Sequence, residues 1–269
     1  MGRYAAAFGP PTPATHMPVA PAVRTRIAKA AADNGFDLDV DGAGDWIGFA
    51  SSHAPLQVWL TAYGEGVFVV ALSQPSVWRG LADHGASFPS PLPDGACGAR
   101  GVLDFVALHR LLRRAFMLSR TLPDELWKVF DEKIAGLPVT TEAERLVVQR
   151  VGQDIFRGGL LDFWEGRCAI TGLAVPELLR ASHIKPWADC ESDAERLDVF
   201  NGFLLAASMD AAFDAGFITV ADDGGVTVSA ALDAAARSLL GLDRPANIRG
   251  ITEGHRRYLG WHRGRVFRG

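Results

Sequence analysis

The segment from residue 178 to residue 214 constrains the fold most, because it places strand, loop and helix signals in a fixed order. An apolar stretch precedes His183, and Pro186 interrupts regular structure just after it, so His183 is predicted to end a strand. Asn201 then opens a second apolar run, which leads into a helical pattern over residues 208–214. This order predicts two strands and a short helix that converge on one point.

Three polar side chains stand out in this segment: the imidazole of His183, the amide of Asn201 and the carboxylate of Asp210. Hydrolysis of a phosphodiester needs a base that activates water and a divalent cation that neutralises charge on the phosphate and on the leaving oxygen. One histidine and a few hard oxygen ligands are sufficient for both tasks. The pattern therefore indicates metal-assisted hydrolysis of phosphodiester bonds.

Three motifs occur in order around these residues. They are Arg-Cys-Ala-Ile-Thr-Gly at 167–172, Ser-His-Ile-Lys-Pro-Trp at 182–187 and Phe-Asp-Ala-Gly-Phe-Ile-Thr at 213–219. Together they resemble the HNH endonuclease family, and in particular its restriction-type branch. The resemblance implies a C-terminal ββα-metal nuclease core, preceded by a lead helix whose start near residue 140 is capped by Thr141.

The resemblance also implies a role for each polar residue. His183 corresponds to the general base, Asn201 to the asparagine that orients the loop, and Asp210 takes the place of a histidine metal ligand. Ser182 stands where many members have a ligating aspartate, so a further metal oxygen is expected from Ser182, from a main-chain carbonyl or from Asp214. Carboxylate oxygens suit Mg²⁺ or Mn²⁺, which is the cofactor that the resemblance implies.

Each of these residues also has a purely structural interpretation. A single histidine beside apolar residues is most often a hydrogen-bonded structural residue. The Asn-Gly pair that begins at Asn201 is a common turn, and Asp214 is placed to end a helix just ahead of Gly216. The presence of the three motifs around His183 favours its catalytic interpretation.

The charge of the chain requires any contact with DNA to be local. The net charge is -4, so the protein has no overall excess of cations to face phosphates. Lys185 and the basic tail at 254–269 are the predicted contacts, the tail through Arg256, Arg257 and Arg263. The alternative for the tail is that its arginine stems cover apolar surface at a disordered or packed terminus.

The lead helix carries Arg150 and Arg157 seven residues apart, hence on one face. They alternate with acidic residues, which favours a solvated helix face over a DNA contact.

The rest of the chain is predicted to have an α+β fold with three parts. Residues 1–21 form a flexible Pro-rich arm, residues 22–135 a DNA-recognition domain with a small antiparallel sheet, and residues 136–269 the nuclease domain. Within the second part we expect a helix at 22–35, strands at 46–49, 56–60 and 67–72, a long loop at 86–100 and a helix at 105–122. Trp46, Trp59 and Tyr63 are either core residues or stacking surfaces for a flipped base.

The three cysteines exclude one variant of the nuclease fold. Cys97, Cys168 and Cys190 contain no Cys-x-x-Cys pair, so no structural zinc is expected. Cys168 is expected at the start of a strand as a small packed hydrophobe. The apolar runs are too short to span a bilayer and no secretory segment is evident, so we expect no membrane partner and a cytoplasmic location.

These observations predict a divalent-metal-dependent DNA endonuclease of restriction type, with double-stranded DNA as its partner. By resemblance, the N-terminal domain reads a DNA sequence or a modified base. A homodimer is expected because a duplex has two strands to cut. Two alternatives remain open: a non-catalytic DNA-binding protein or degenerate nuclease, suggested by Ser182, and a structure-selective or RNA-directed nuclease, suggested by the lack of a sequence-reading motif.

Overall fold

The computed structural model describes residues 19–63, 66–89, 91–121, 123–138 and 141–269. The chain divides into two compact units between Arg120 and Thr121. The Pro-rich arm predicted at 1–21 lies almost entirely outside the described residues. The helix Pro123–Ile134 falls in the second unit, where it packs against the helices Glu142–Phe163 and Asp193–Leu197, whereas the sequence pattern places residues 22–135 in the N-terminal domain.

The first unit is an antiparallel sheet accompanied by helices. Its elements are α1 (Pro21–Asp33), β1 (Leu38–Val40), β2 (Ile47–Ala50), β3 (Gln57–Tyr63), β4 (Val67–Leu72), α2 (Pro75–Gly80), β5 (Ala86–Ser87), β6 (Gly98–Val102) and α3 (Phe105–Thr121). The six strands have the order β1-β2-β3-β4-β6-β5, and the central strands β3 and β4 are buried along most of their length. Proline occupies the start of both α1 and α2, where a missing amide hydrogen costs nothing.

The predicted loop at 86–100 contains β5 and the first residues of β6. The sequence interpretation was wrong here because glycine and alanine dominate β6 and have a low preference for strands. Pairing with β4 imposes the extended conformation, from Gly98 opposite Leu72 to Val102 opposite Phe68. Glycine has a packing reason at position 98, since a Cβ there would lie 2.7 Å from the ring of Trp78.

The aromatic residues of this sheet are mainly core residues. Trp46 and Trp59 are 9% and 5% exposed and share one cluster with Phe88. The indole of Trp59 donates to the carbonyl of Asp41 at 3.2 Å. Tyr63 is partly buried, with its ring centroid 5.2 Å from that of Phe88. The core interpretation therefore holds for both tryptophans.

The second unit is built around a two-stranded hairpin. Its elements are α4 (Pro123–Ile134), α5 (Glu142–Phe163), β7 (Leu179–His183), α6 (Asp193–Leu197), β8 (Gly202–Ala206), α7 (Ala207–Asp214), β9 (Ile218–Val220), β10 (Val226–Val228), α8 (Ala234–Leu239) and α9 (Glu253–Arg265). The capping box of Thr141 and Glu144 starts α5, as the sequence predicts. The hairpin pairs β7 with β8, from Leu179 opposite Ala206 to His183 opposite Gly202.

The hairpin packs closely against the lead helix α5. A Cβ at Gly202 would lie 2.4 Å from the ring of Phe156, so only glycine permits this approach. Cys168 was predicted at a strand start but lies in the turns after α5, where its sulfur accepts the amide hydrogen of Thr171 at 3.3 Å. Among the described residues, no helix combines the length and the apolar composition needed to cross a bilayer.

Candidate active site

His183 is the last residue of β7 and lies against the lead helix. Its ring stacks on Phe156 of α5, with 3.8 Å between centroids and 15° between planes. The ring of Trp187 meets it edge-on at 5.7 Å. The imidazole Nε2 lies 2.9 Å from the carbonyl oxygen of Arg196. These three neighbours fix the orientation of the imidazole.

The same contacts determine the protonation state of His183. A carbonyl only accepts, so Nε2 donates its hydrogen and the lone pair of the neutral ring resides on Nδ1. Nδ1 has no hydrogen-bond partner within the described part of the chain. Burial lowers the pKa of His183 to about 4, only partly offset by the bond to the Arg196 carbonyl. At neutral pH the ring is therefore uncharged and able to accept a proton.

Asn201 ties the loop after His183 to the start of β8. It is fully buried, and its Oδ1 accepts the amide hydrogen of Lys185 at 2.8 Å. Its Nδ2 donates to the carbonyls of Lys185 and Glu195, each at 3.1 Å. Its own carbonyl accepts from the amide of Ile184 at 2.9 Å. A buried amide with its donors and acceptors occupied holds both ends of the loop in place.

Two carboxylates lie one turn apart on α7, the helix that follows β8. Asp210 and Asp214 share one helix face by their spacing. Ser182 of β7 donates its hydroxyl to Oδ1 of Asp214 at 3.2 Å, which joins the strand to the helix. Desolvation raises the pKa of Asp214, and the negative charge of Asp210 raises it further. The helix therefore presents two mutually repelling carboxylates.

These oxygens are chemically suited to a hard divalent cation. Mg²⁺ and Mn²⁺ bind one or two carboxylates and keep further positions for water or phosphate oxygens. A cation would also remove the repulsion that raises the pKa of Asp214. Among the described residues, no group of three or more histidine, cysteine, aspartate or glutamate side chains is arranged to hold a metal. The predicted set of Asp210, Asp214 and Ser182 contains only two such side chains.

Lys185 is engaged within the protein. Its ammonium lies 2.9 Å from Glu195 and 3.6 Å from Glu191, and only 9% of its side chain is exposed. The hydrogen bond to Glu195 raises the pKa of Lys185. Contact with a phosphate would first require this pair to break.

The basic tail is the packed helix α9, and its predicted contact residues all have acidic partners. The buried side of this helix consists of His255, Tyr258, Leu259 and His262. The ion pairs are Arg256 with Glu253 at 2.9 Å, Arg257 with Asp198 at 2.6 Å and Arg263 with Asp222 at 2.7 Å. Their charge is already balanced, which makes these arginines weak candidates for phosphate contact.

Two residues that sequence reasoning missed support the site. Phe156 provides the surface on which His183 stacks, and no local signal connects a helical phenylalanine with a histidine in a later strand. Asp198 is 2% exposed and accepts from the amide of Phe200 and from the hydroxyl of Tyr258, both at 2.9 Å. It caps the 3-10 turn that ends at Asn201, and an aspartate before a turn is a recognisable capping signal.

A comparison against known families found a match over the same segment. The model of a family described as HNH endonuclease matches residues 168–221. The match places a similarity to HNH endonucleases in the C-terminal part of the chain. The matched segment contains β7, β8, α7 and β9, and thus every predicted catalytic and metal-binding residue. A comparison with curated proteins found no match. The match suggests that the protein is a nuclease.

Proposed function

We propose that the protein is a divalent-metal-dependent DNA endonuclease of restriction type. The observation that carries the proposal is His183, a histidine held neutral by burial, oriented by the Arg196 carbonyl and left with a free lone pair on Nδ1. The unprotonated ring is the form that a general base needs before it takes a proton from water.

In the proposed reaction, Nδ1 of His183 accepts the proton of the attacking water. Asn201 keeps the loop that begins at Ile184 in register, so the imidazole is positioned before substrate arrives. Asp210 and Asp214 would hold the cation, with Ser182 fixing the carboxylate of Asp214. A bound cation supplies positive charge where negative charge develops on the phosphate and on the leaving oxygen.

The N-terminal unit is proposed to select the DNA, either by sequence or by a modified base. An HNH core of this size provides little surface for base contacts, so selection is assigned to the sheet of the first unit. The active species is proposed to be a homodimer, which light scattering of the protein with and without duplex DNA will test.

One observation favours a second candidate, a DNA-binding protein without catalysis. Ser182 donates its hydrogen bond to Asp214, and the predicted metal site has two carboxylates where a third ligand from the strand is common in the family. Such a protein would bind DNA and leave it intact.

Plasmid cleavage separates the two candidates. Unmodified and cytosine-modified plasmids are incubated with the protein in EDTA, Mg²⁺ or Mn²⁺, alongside His183→Ala. Cutting that needs both the metal and His183 supports the nuclease, and a difference between plasmids shows what the first unit reads. Retardation of both plasmids without cutting in any metal supports the binding protein. Parallel single-stranded and RNA substrates test for a structure-selective or RNA-directed enzyme.

A further inference from the structure

Two arginines meet at the beginning of β7, the strand that ends in His183. Nη1 of Arg157, on α5, donates to the carbonyl of Leu179 at 2.8 Å. Nη1 of Arg180 donates to the same oxygen at 3.2 Å and to the carbonyl of Glu177 at 3.3 Å. Arg157 also donates from Nη2 to the carbonyl of Pro176 at 2.8 Å. Because both side chains bind one oxygen, their positive charges are close neighbours.

This pair differs from the cations that the sequence favoured. Lys185, Arg256 and Arg257 each have a carboxylate within ion-pair distance. Neither Arg157 nor Arg180 has an ion pair with any residue that the structure describes. Two adjacent guanidinium groups without a counter-charge repel one another, and a bound anion removes that repulsion. The electrostatics therefore point to an anion as the missing partner.

The pair retains hydrogen-bond donors for such an anion. A guanidinium has five N–H donors, and its flat fork matches two oxygens of a phosphate. Arg180 is exposed, and its contacts with the protein all come from Nη1, so Nε and Nη2 have no partner within the described residues. The carbonyls of Pro176, Glu177 and Leu179 hold the two side chains in place without neutralising them.

The position of the pair fits a DNA backbone. Arg180 precedes His183 by three residues, or about 10 Å of strand, and shares the strand face of Ser182. Arg157 follows Phe156, the residue on which His183 stacks. Arg180 thus lies on the same strand as the proposed base and Arg157 on the helix that packs against that base, at a distance suited to a phosphate a nucleotide or two from the scissile bond.

We propose that Arg157 and Arg180 together bind a backbone phosphate of the DNA substrate next to the scissile bond. The inference rests on the proposed function, since its ligand is the DNA that His183 would cut. Such a contact fixes the register of the strand and carries no sequence information.

Salt-dependent binding of a duplex tests the proposal. Arg157→Gln and Arg180→Gln keep amide donors for the main-chain carbonyls and remove the charge. Arg237→Gln is the matched control, because Arg237 donates to the carbonyls of Leu232 and Ser229, each at 2.9 Å, and lies on α8, outside the hairpin. Fluorescence anisotropy measures affinity in EDTA and, in a His183→Ala background, in Mg²⁺. Melting temperatures show whether each variant is folded.

Each pair variant is expected to reduce the slope of log K against log salt by about one, equally for unrelated duplexes, while Arg237→Gln retains the wild-type slope. If folded Arg157→Gln and Arg180→Gln both keep the wild-type salt slope, the two arginines only donate hydrogen bonds to main-chain carbonyls. That result would overturn the proposal even if the protein cuts plasmid. A reduced slope without cutting retains the phosphate site and rejects the nuclease. Absence of duplex binding both by the wild-type protein in EDTA and by His183→Ala in Mg²⁺ overturns both proposals.

Discussion

The two faces of the β7–β8 hairpin differ in how completely their polar groups are satisfied. On the His183 side, a buried amide occupies its donors and acceptors, and the imidazole is bonded and stacked. On the α7 side, Asp210 and Asp214 repel each other. Within the part of the chain that the structure describes, the hydroxyl of Ser182 makes the one hydrogen bond between β7 and these carboxylates. The first face is built around neutral groups and the second around negative charge.

This difference indicates which half of the proposed site is pre-organised by the fold and which half depends on a bound cation. The base side is pre-organised by the fold itself, so its geometry does not depend on a ligand. The α7 side carries an electrostatic cost that a bound cation would remove. We therefore expect substitutions on the base side to cost stability, and substitutions on the α7 side to cost metal binding while leaving stability unchanged or slightly higher.

The largest effect is expected in acid, because three histidines of the second unit are held in the neutral state. Burial holds the pKa of His183 and His262 at about 4 and that of His255 at about 3, below the value of 6.5 for an exposed histidine. As the pH falls from 6.5 towards 4, the unfolded chain takes up protons that the folded chain refuses, so stability falls. Each histidine contributes up to about 1.4 kcal/mol per pH unit, and the three together about 4.

Urea unfolding at pH 7, 6 and 5 measures this slope. His255→Phe keeps an aromatic ring among Phe163, Phe200 and Phe203 and should lower the slope by about a third. Equal stability at pH 7 and pH 5 would contradict the buried neutral state of these rings.

Asn201→Ala should be the most damaging single substitution on the base side. It leaves the main-chain groups of Lys185 and Glu195 without their buried partner, at a cost of about 2–4 kcal/mol. Asn247→Ala is the exposed counterpart and should change stability by less than about 0.5 kcal/mol. Chemical denaturation compares the two, and a loss below about 1 kcal/mol at position 201 would mean that other contacts hold the loop.

Phe156→Leu should distinguish the contribution of Phe156 to core packing from its effect on the pKa of His183. The cost of this volume change in a core is about 1 kcal/mol, and Phe163→Leu on the same helix should cost a similar amount. Only Phe156→Leu opens one face of His183, so the pKa of His183 should rise towards 6.5. The acid limb of the pH–rate profile should then move to higher pH in that variant alone, and identical shifts in both variants would exclude the stacking effect.

Asp214→Asn should have the smallest effect on stability and the opposite sign. It removes the repulsion from Asp210 and keeps an oxygen that accepts from Ser182, so stability in EDTA should rise by about 0.3 kcal/mol. Because the pKa of Asp214 is raised in the folded state, this gain should be largest at neutral pH and should vanish in acid. Differential scanning calorimetry resolves the sign, and a loss of stability at pH 7 would show that the carboxylate is structural.

Local sequence signals predict the elements of the site. Pro186 and the Asn-Gly pair at 201 mark the loop between the strands, the apolar runs give β7 and β8, and Thr141 marks the start of α5. These signals act over a few residues, so they can be interpreted without knowledge of the fold. The glycine-rich strand β6 gives no such signal, because pairing with β4 imposes its conformation.

The sequence predicts less well which cationic side chains form ion pairs in the folded protein. Lys185 and Arg257 look like isolated cations in the chain, yet Glu195 and Asp198 neutralise them across turns and between helices. Arg157, by contrast, appears as part of a mixed solvated helix, and the fold brings it to Arg180 without an acidic partner. Ion pairing depends on tertiary neighbours, so only the structure distinguishes engaged cations from free ones.

The most direct test of the two-sided site measures metal binding and cutting in the same variants. Mg²⁺- or Mn²⁺-induced thermal stabilisation and single-turnover plasmid cleavage are compared for the wild type, His183→Ala and Asp210→Asn. We predict that His183→Ala retains the metal-induced stabilisation and loses cutting, whereas Asp210→Asn loses both. Cutting by His183→Ala at the wild-type rate would contradict the assignment of the base and with it the proposed mechanism.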